Sequence, residues 1–409
     1  MPDHETPSVN RRDFLQATAA VTAAASAMSL ATGSQAAPPA SKPTLSRRPL
    51  GKTGVDVTML NLGTWQSPGT ARLLRFAYER GVRTFDTADC YGSEPAIAQW
   101  LQEKPEVRKE IFLVSKDHPK GGPRQLIQQL DKRLAALQTD YLDLLFIHGI
   151  GPGEYGQGSL EWPRSKEFKE TIEAIKKSGK ARFVGFSCHD EKIAQYVQAA
   201  ADGGFVDAIM VKFTPWLDKD SALNKALDAC HAKGIGLISM KQVAGNFGDF
   251  LTEAPKRMPN LKAKGLTPYQ GLLHAIWSDE RIATCCVSMR NTDQIRENTL
   301  GLARYDKPMD RAEILELRDA ALAAGPTFCA DCDGRCSRAG GTAAPLGDLT
   351  RFLTYHDHHG YKAEARRQYA ALSPEQRDWS GADLDAARAA CPGRLDFARL
   401  LPRVDETLA

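Results

Sequence analysis

Between residues 45 and 305 the sequence alternates eight times between a short apolar run and a longer amphipathic stretch. The runs are VTMLNLG (57–63), TFDTA (84–88), IFLVS (111–115), LDLLFI (142–147), RFVGFS (182–187), DAIMVK (207–212), IGLISM (235–240) and ATCCVS (283–288). They are continuous and rich in β-branched or aromatic residues, so each reads as a strand buried on both faces. The intervening stretches place apolar residues at helical spacing. Leu73, Leu74, Ala77 and Tyr78 share a face, as do Leu126, Leu130, Leu134 and Leu137. Phe168, Ile172 and Ile175 form a third such face, and Gly179 is placed to end that helix. Eight strand–helix units over this length predict a (β/α)8 TIM barrel of the α/β class. A doubly wound sheet is the alternative, but no Gly-x-Gly-x-x-Gly follows the first run. RRPLGKTGVDVT (47–58) has a Gly-centred turn and predicts a hairpin that closes the barrel floor.

The flanks are different material. Residues 1–40 hold NRRDFLQ (10–16), then an Ala-rich, modestly apolar stretch, then small residues and prolines. Arg11-Arg12 followed by Asp13, Phe14 and Leu15 resembles a twin-arginine export signal, which implies export by that machinery and a periplasmic or other extracytoplasmic address. The apolar stretch is too short and too weakly apolar for a stable membrane span. After residue 305 the alternation stops, and 306–409 reads as a small, mostly helical, Cys-rich extension. Net charge is +3 from 53 basic and 50 acidic residues, which leaves no electrostatic footprint for nucleic acid.

In such a barrel the chemistry sits at the C-terminal ends of the strands. FDTADCYG follows the second run and supplies Asp86 and Tyr91; VSKDHP supplies Lys116; LLFIHG supplies His148. An Asp, a Tyr, a Lys and a His from three neighbouring strand ends form a convergent polar set. The barrel cysteines (Cys90, Cys188, Cys230, Cys285 and Cys286) read as small buried residues.

FDTADCYG, LVSKDHP, TDYLDLLFIHG and GKARFVGFSCHD, in that order, resemble the aldo-keto reductase superfamily over residues 45–305. The resemblance implies carbonyl reduction, or alcohol oxidation, with NADP or NAD. It assigns Tyr91 as general acid, Lys116 and Asp86 as its activating pair, and His148 as the imidazole that orients the substrate. The neighbouring ammonium is expected to move the phenol down from its ordinary pKa near 10. For the cofactor it points to Ser187, Met210, Met240, Lys241, Ser288, Arg290, Gln294, Glu297 and Asn298. Met210 stands where the family usually has an amide that holds the nicotinamide. The implied partner is a small-molecule carbonyl or polyol. A barrel kept only as a binding module is a second reading, and an electron-transfer protein acting through its tail is a third.

The tail reads C-x2-C-x3-C at Cys329, Cys332 and Cys336, with Cys391-Pro392 far downstream. It resembles the ferredoxin-like extension of some aldo-keto reductases, although a bacterial ferredoxin run is spaced C-x2-C-x2-C-x3-C-P. Four thiolates would ligate one [4Fe–4S] cluster if Cys391 folds back. A zinc site with four thiolate ligands, two disulfides and a vestigial set without metal remain open.

Overall fold

The structure is a computed structural model that describes residues 44–65, 67, 70–217, 219–242, 258–323, 334–357, 362–391 and 394–409. Residues Pro43–Ala409 form one compact unit. Its centre is a closed parallel barrel of eight strands. In chain order these are β3 (Leu60–Gly63), β4 (Thr84–Asp86), β5 (Phe112–Asp117), β6 (Leu142–Ile147), β7 (Ala181–Cys188), β8 (Ala208–Lys212), β9 (Gly236–Met240) and β10 (Ile282–Ser288). Strand β10 returns to β3, so the sheet has no open edge and the doubly wound alternative is excluded.

The barrel wall shows the period of two that a strand imposes. Phe112, Val114, Leu144, Phe146, Met210 and Ile238 point inward and pack together. Leu113, Leu145, Ile147, Ile209 and Leu237 point outward into the layer under the helices. The three helical faces read from sequence are buried in that outer layer. The helix Lys166–Ser178 ends at Gly179 in the left-handed region, φ 74°. Gly185 on β7 answers a tighter demand, because a Cβ there would lie 1.8 Å from the Ala208 carbonyl oxygen.

The floor hairpin is present as β1 (Arg47–Pro49) paired antiparallel with β2 (Asp56–Thr58). Leu50 and Val57 from it enter the inner cluster and cap the barrel from below. The apolar run 57–63 is therefore two strands rather than one. Met59 separates them, and all of Val57 to Gly63 is buried, so hydrophobicity alone does not mark the break.

The C-terminal extension builds its own apolar cluster from the helices Arg335–Ala339, Leu346–Asp357, Lys362–Ala370, Leu384–Ala390 and Phe397–Leu408. Trp65, in the loop after β3, packs against that cluster and joins it to the barrel mouth. Among the described residues no helix is long and apolar enough to cross a membrane.

Candidate active site

The inward face of each strand continues into the mouth of the barrel. On β5 the inward positions 112 and 114 are followed by Lys116; on β6, 144 and 146 lead to His148; on β4, Asp86 is the last strand residue. The end of β4 is fixed by hydroxyls. Thr64 Oγ1 donates to the Asp86 carbonyl at 2.9 Å, and Ser93 Oγ lies 2.7 Å from Thr64 and 2.6 Å from Thr87. Directly after it a 3-10 turn, Asp89–Tyr91, presents Tyr91 and ends at Gly92 with φ 69°. His148 is held by its backbone. Its N–H donates to the Asp117 carbonyl (2.9 Å), and its carbonyl accepts from the Tyr155 hydroxyl (2.6 Å).

Lys116 is only 1 % exposed, so its charge needs partners. It donates to Asp86 Oδ1 at 2.5 Å and to the Thr87 carbonyl at 2.9 Å. Its ammonium lies 4.9 Å from the centre of the Tyr91 ring, against the face rather than the hydroxyl. The Tyr91 hydroxyl instead meets His148 Nε2 at 3.3 Å. Burial pushes the Tyr91 phenol well up, and the Asp86 carboxylate adds to that. The lowering expected from Lys116 is thus outweighed. Burial also pushes His148 down to about 3 against the pull of Asp89, so the imidazole is neutral. At Asp86 burial raises the carboxyl pKa, and the Lys116 ammonium opposes it.

A cavity of about 510 Å³ opens over these groups and is lined by Tyr91, Lys116, His148, Ser187, Met240 and Lys241, among others. Ser187 accepts a hydrogen bond from the Gly149 N–H at 2.8 Å. Met210 lies deeper, in the inner apolar cluster. Lys241 has φ 51°, and its ammonium donates to the Tyr355 hydroxyl at 2.9 Å, 5.3 Å from the Trp65 ring. Ser288, Arg290, Gln294, Glu297 and Asn298 form a separate group outside this lining. They sit at the end of β10, in the loop after it and on the first turns of the helix Thr292–Ala303. There the Arg290 N–H donates to Gln294 Oε1 at 2.7 Å, and Glu297 accepts from Thr267.

Residues 59–300 match the model of the Aldo/keto reductase family, which is more than half of the chain. The chain belongs to the aldo/keto reductase family. Residues 8–28 match the twin-arginine translocation signal, so this aldo/keto reductase carries an export signal. It is 28% identical to human aldo-keto reductase family 1 member A1, over 60% of this chain and 81% of that protein. It is 25% identical to L-galactose dehydrogenase of Arabidopsis thaliana, over 66% of this chain and 92% of that one. Among solved structures, a putative 2,5-diketo-D-gluconic acid reductase B superposes with a TM-score of 0.54 at 22% identity. That match covers 68% of this chain and 92% of the other and is a likeness of fold. Aldo/keto reductases are NAD(P)H-dependent carbonyl oxidoreductases, and this chain is one of that general class.

The residues of this reductase fit a nicotinamide nucleotide in two pieces. The cavity beside Tyr91 and Ser187 has the room and the hydrogen-bonding groups for a small polar ring, and the β10 end offers a helix N-terminus with Arg290 just before it in the chain. Several groups at the mouth escaped the sequence reading. His118 is two residues beyond Lys116 and therefore inward, a period-two signal that was available. Asp89 lies between two residues singled out as functional. Arg351, Phe352 and Arg367 come from the extension and line the same cavity, which no local pattern announces. Of the barrel cysteines, Cys188, Cys230 and Cys285 are buried as expected, Cys286 is half-buried, and Cys90 is exposed. Of the tail thiols, Cys329 and Cys332 lie outside the described residues. Cys336 and Cys391 are both buried in the apolar cluster of the extension's helices.

Proposed function

We propose that this aldo/keto reductase works outside the cytoplasm and reduces a small polar aldehyde or ketone, with Tyr91 as the acid. The observation that carries the reading is the pair at the mouth, the Tyr91 hydroxyl 3.3 Å from His148 Nε2, above the buried Lys116–Asp86 ion pair. A bound, reduced nicotinamide supplies the hydride. The substrate oxygen then needs a proton as its negative charge grows, and a phenol whose pKa is raised by burial holds that proton through neutral pH. The neutral His148 ring can donate one N–H to the same oxygen and fix its direction. Lys116 supplies a positive field against the phenol ring as phenolate forms, and Asp86 holds Lys116 in place.

The rim is strongly polar. Asp89, His118, Lys120, Glu154, Glu364 and Arg367 all line the cavity, which favours a hydroxyl-bearing carbonyl compound over an apolar one. Ser187, Met240 and Lys241 are assigned to the nicotinamide end, with Met210 packing beneath. Ser288, Arg290, Gln294, Glu297 and Asn298 are assigned to the adenosine phosphate end. For the extension we propose one [4Fe–4S] cluster on Cys329, Cys332, Cys336 and Cys391. Its support is that Cys336 and Cys391, distant in sequence, enter one buried cluster.

Tyr91→Phe is the direct test. Carbonyl reduction should fall by about a thousandfold or more, the upper part of the range for loss of a general acid, while nucleotide binding by fluorescence titration is retained. Unchanged turnover in that variant overturns the assignment. A barrel retained only for binding would show no turnover even in the wild type.

A further inference from the structure

We propose that Asp89, Cys90, His118 and His148 form a binding site for a divalent cation of the zinc class at the rim of the barrel mouth. The four offer two imidazole nitrogens, a carboxylate oxygen and a sulfur, and these ligand atoms all lie within 4.8 Å of one another. Nothing in the proposed reductase chemistry calls for Asp89, Cys90 and His118 to converge here.

The spacing suits a tetrahedral ion. Ligand bonds of about 2.0–2.3 Å place neighbouring ligand atoms roughly 3.3–3.8 Å apart. Asp89 Oδ1 and Cys90 Sγ each lie 3.7 Å from His148 Nδ1, inside that range, whereas Asp89 Oδ2 is 3.0 Å from His118 Nδ1, a hydrogen bond that must open by a few tenths of an ångström to admit an ion. Both rings turn Nδ1 towards the Asp89 carboxylate, and their centres are 4.5 Å apart. Asp89 Oδ1 is buried and accepts no hydrogen bond, and 3.7 Å to His148 is too long to count as one. A buried carboxylate oxygen without a partner is costly, and a cation among these four atoms removes that cost. The donor set, nitrogen twice with oxygen and sulfur, selects zinc over magnesium or calcium, which take oxygen. His148 is neutral and Asp89 ionised, as ligands must be. Burial and the Asp89 charge push the Cys90 thiol up to about 12, so its proton leaves to solvent only as the metal binds, with no change of oxidation state.

The site also acts on the other edge of the His148 ring. A metal on Nδ1 forces the proton onto Nε2, the atom that faces the Tyr91 hydroxyl. His148 then is a fixed donor towards the mouth, the form a carbonyl oxygen needs. This consequence for turnover rests on the reductase reading; the binding itself does not.

The test is a titration of metal-free mature protein with Co2+ under reducing conditions, comparing wild type with His118→Ala, Cys90→Ser and Tyr91→Phe. Metal held by the extension contributes equally to all four and cancels. The wild type should take up one equivalent more than His118→Ala, with tetrahedral d–d bands and a thiolate-to-cobalt charge-transfer band. Cys90→Ser should lose the charge-transfer band and bind about tenfold more weakly or worse, at least the loss seen when an outer-shell partner is removed. Nitrogen-15 spectra of the zinc-loaded protein should show His148 as the Nε2–H tautomer. Equal uptake and superimposable spectra in wild type and His118→Ala overturn the proposal. Tyr91→Phe should keep the cobalt spectrum, so this site and the reductase reading fail separately.

Discussion

Tyr91 sits where burial favours the acid over the base. The sign follows directly. A phenol raised above its ordinary value of 10.0 keeps its proton throughout the neutral range, so proton donation to a substrate is available there and proton acceptance is not. Reduction should therefore be level from about pH 6 to 9, the range that brackets an ordinary imidazole, and alcohol oxidation should still be climbing at about pH 10. His148 sits near 3, so kcat/KM for reduction should show no break around an ordinary imidazole value. A pH profile in both directions checks both statements. Asp86→Ala tests the layer beneath. It strands the ammonium of Lys116 at 1% exposure, and breaking such a pair costs about 3–5 kcal/mol, to be read from the urea midpoint. At this scale the sequence was informative about identity and silent about orientation. Asp86, Lys116 and His148 could be named because each lies in or directly after an apolar run, and Tyr91 because it stands five residues beyond Asp86. That Lys116 would meet the face of the phenol and not its oxygen is set by χ angles that packing decides.

Strands were legible for a physical reason. A strand covered on both sides must be apolar throughout, and seven of the eight runs align with single barrel strands on that signal. The first did not, because the floor hairpin and the first barrel strand are both buried and abut at Met59. Hydrophobicity reports burial, and it does not report a change of pairing partner. Strand β7 carries the sharpest local constraint. Gly185→Ala would drive a methyl group to 1.8 Å from the Ala208 carbonyl oxygen, against backbone that cannot yield as a side chain would. The β7–β8 ladder should open there, with a loss of about 3 kcal/mol by thermal or urea denaturation. Ser187 and Met210 face each other in that ladder, so nucleotide affinity should fall as well.

At the scale of the molecule the extension docks on the mouth through groups that no local pattern reveals. Lys241 and Tyr355 are 114 positions apart, and their hydrogen bond ties the end of β9 to the helix Leu346–Asp357. That helix also brings Asp348, ion-paired with Arg351, beside Asp190 and Glu191 of the loop after β7. Burial, with Asp348 adding repulsion, raises Asp190 to about 7 and Glu191 to about 8, against the pull of Arg351. The folded protein thus holds protons that the unfolded chain has already released. Stability from this pair is complete below the ordinary carboxylate range and is lost as pH rises through about 7 and 8. The urea midpoint should be lower at about pH 8.5, just above both values, than at about pH 6, below them, and Asp190→Asn should flatten that slope.

The same docking has a consequence in the order of synthesis. Residues 334–409 follow the whole barrel along the chain, yet Arg351, Phe352 and Arg367 are part of the wall around Tyr91. A ribosome that has finished β10 has made every strand and still holds an incomplete mouth. The export signal at residues 8–28 leaves the ribosome before the barrel, and the wall of the cavity leaves after it. A translocase that threads an unfolded chain would meet the signal before the mouth existed, whereas one that accepts folded cargo lets signal and mouth both be present before transport begins.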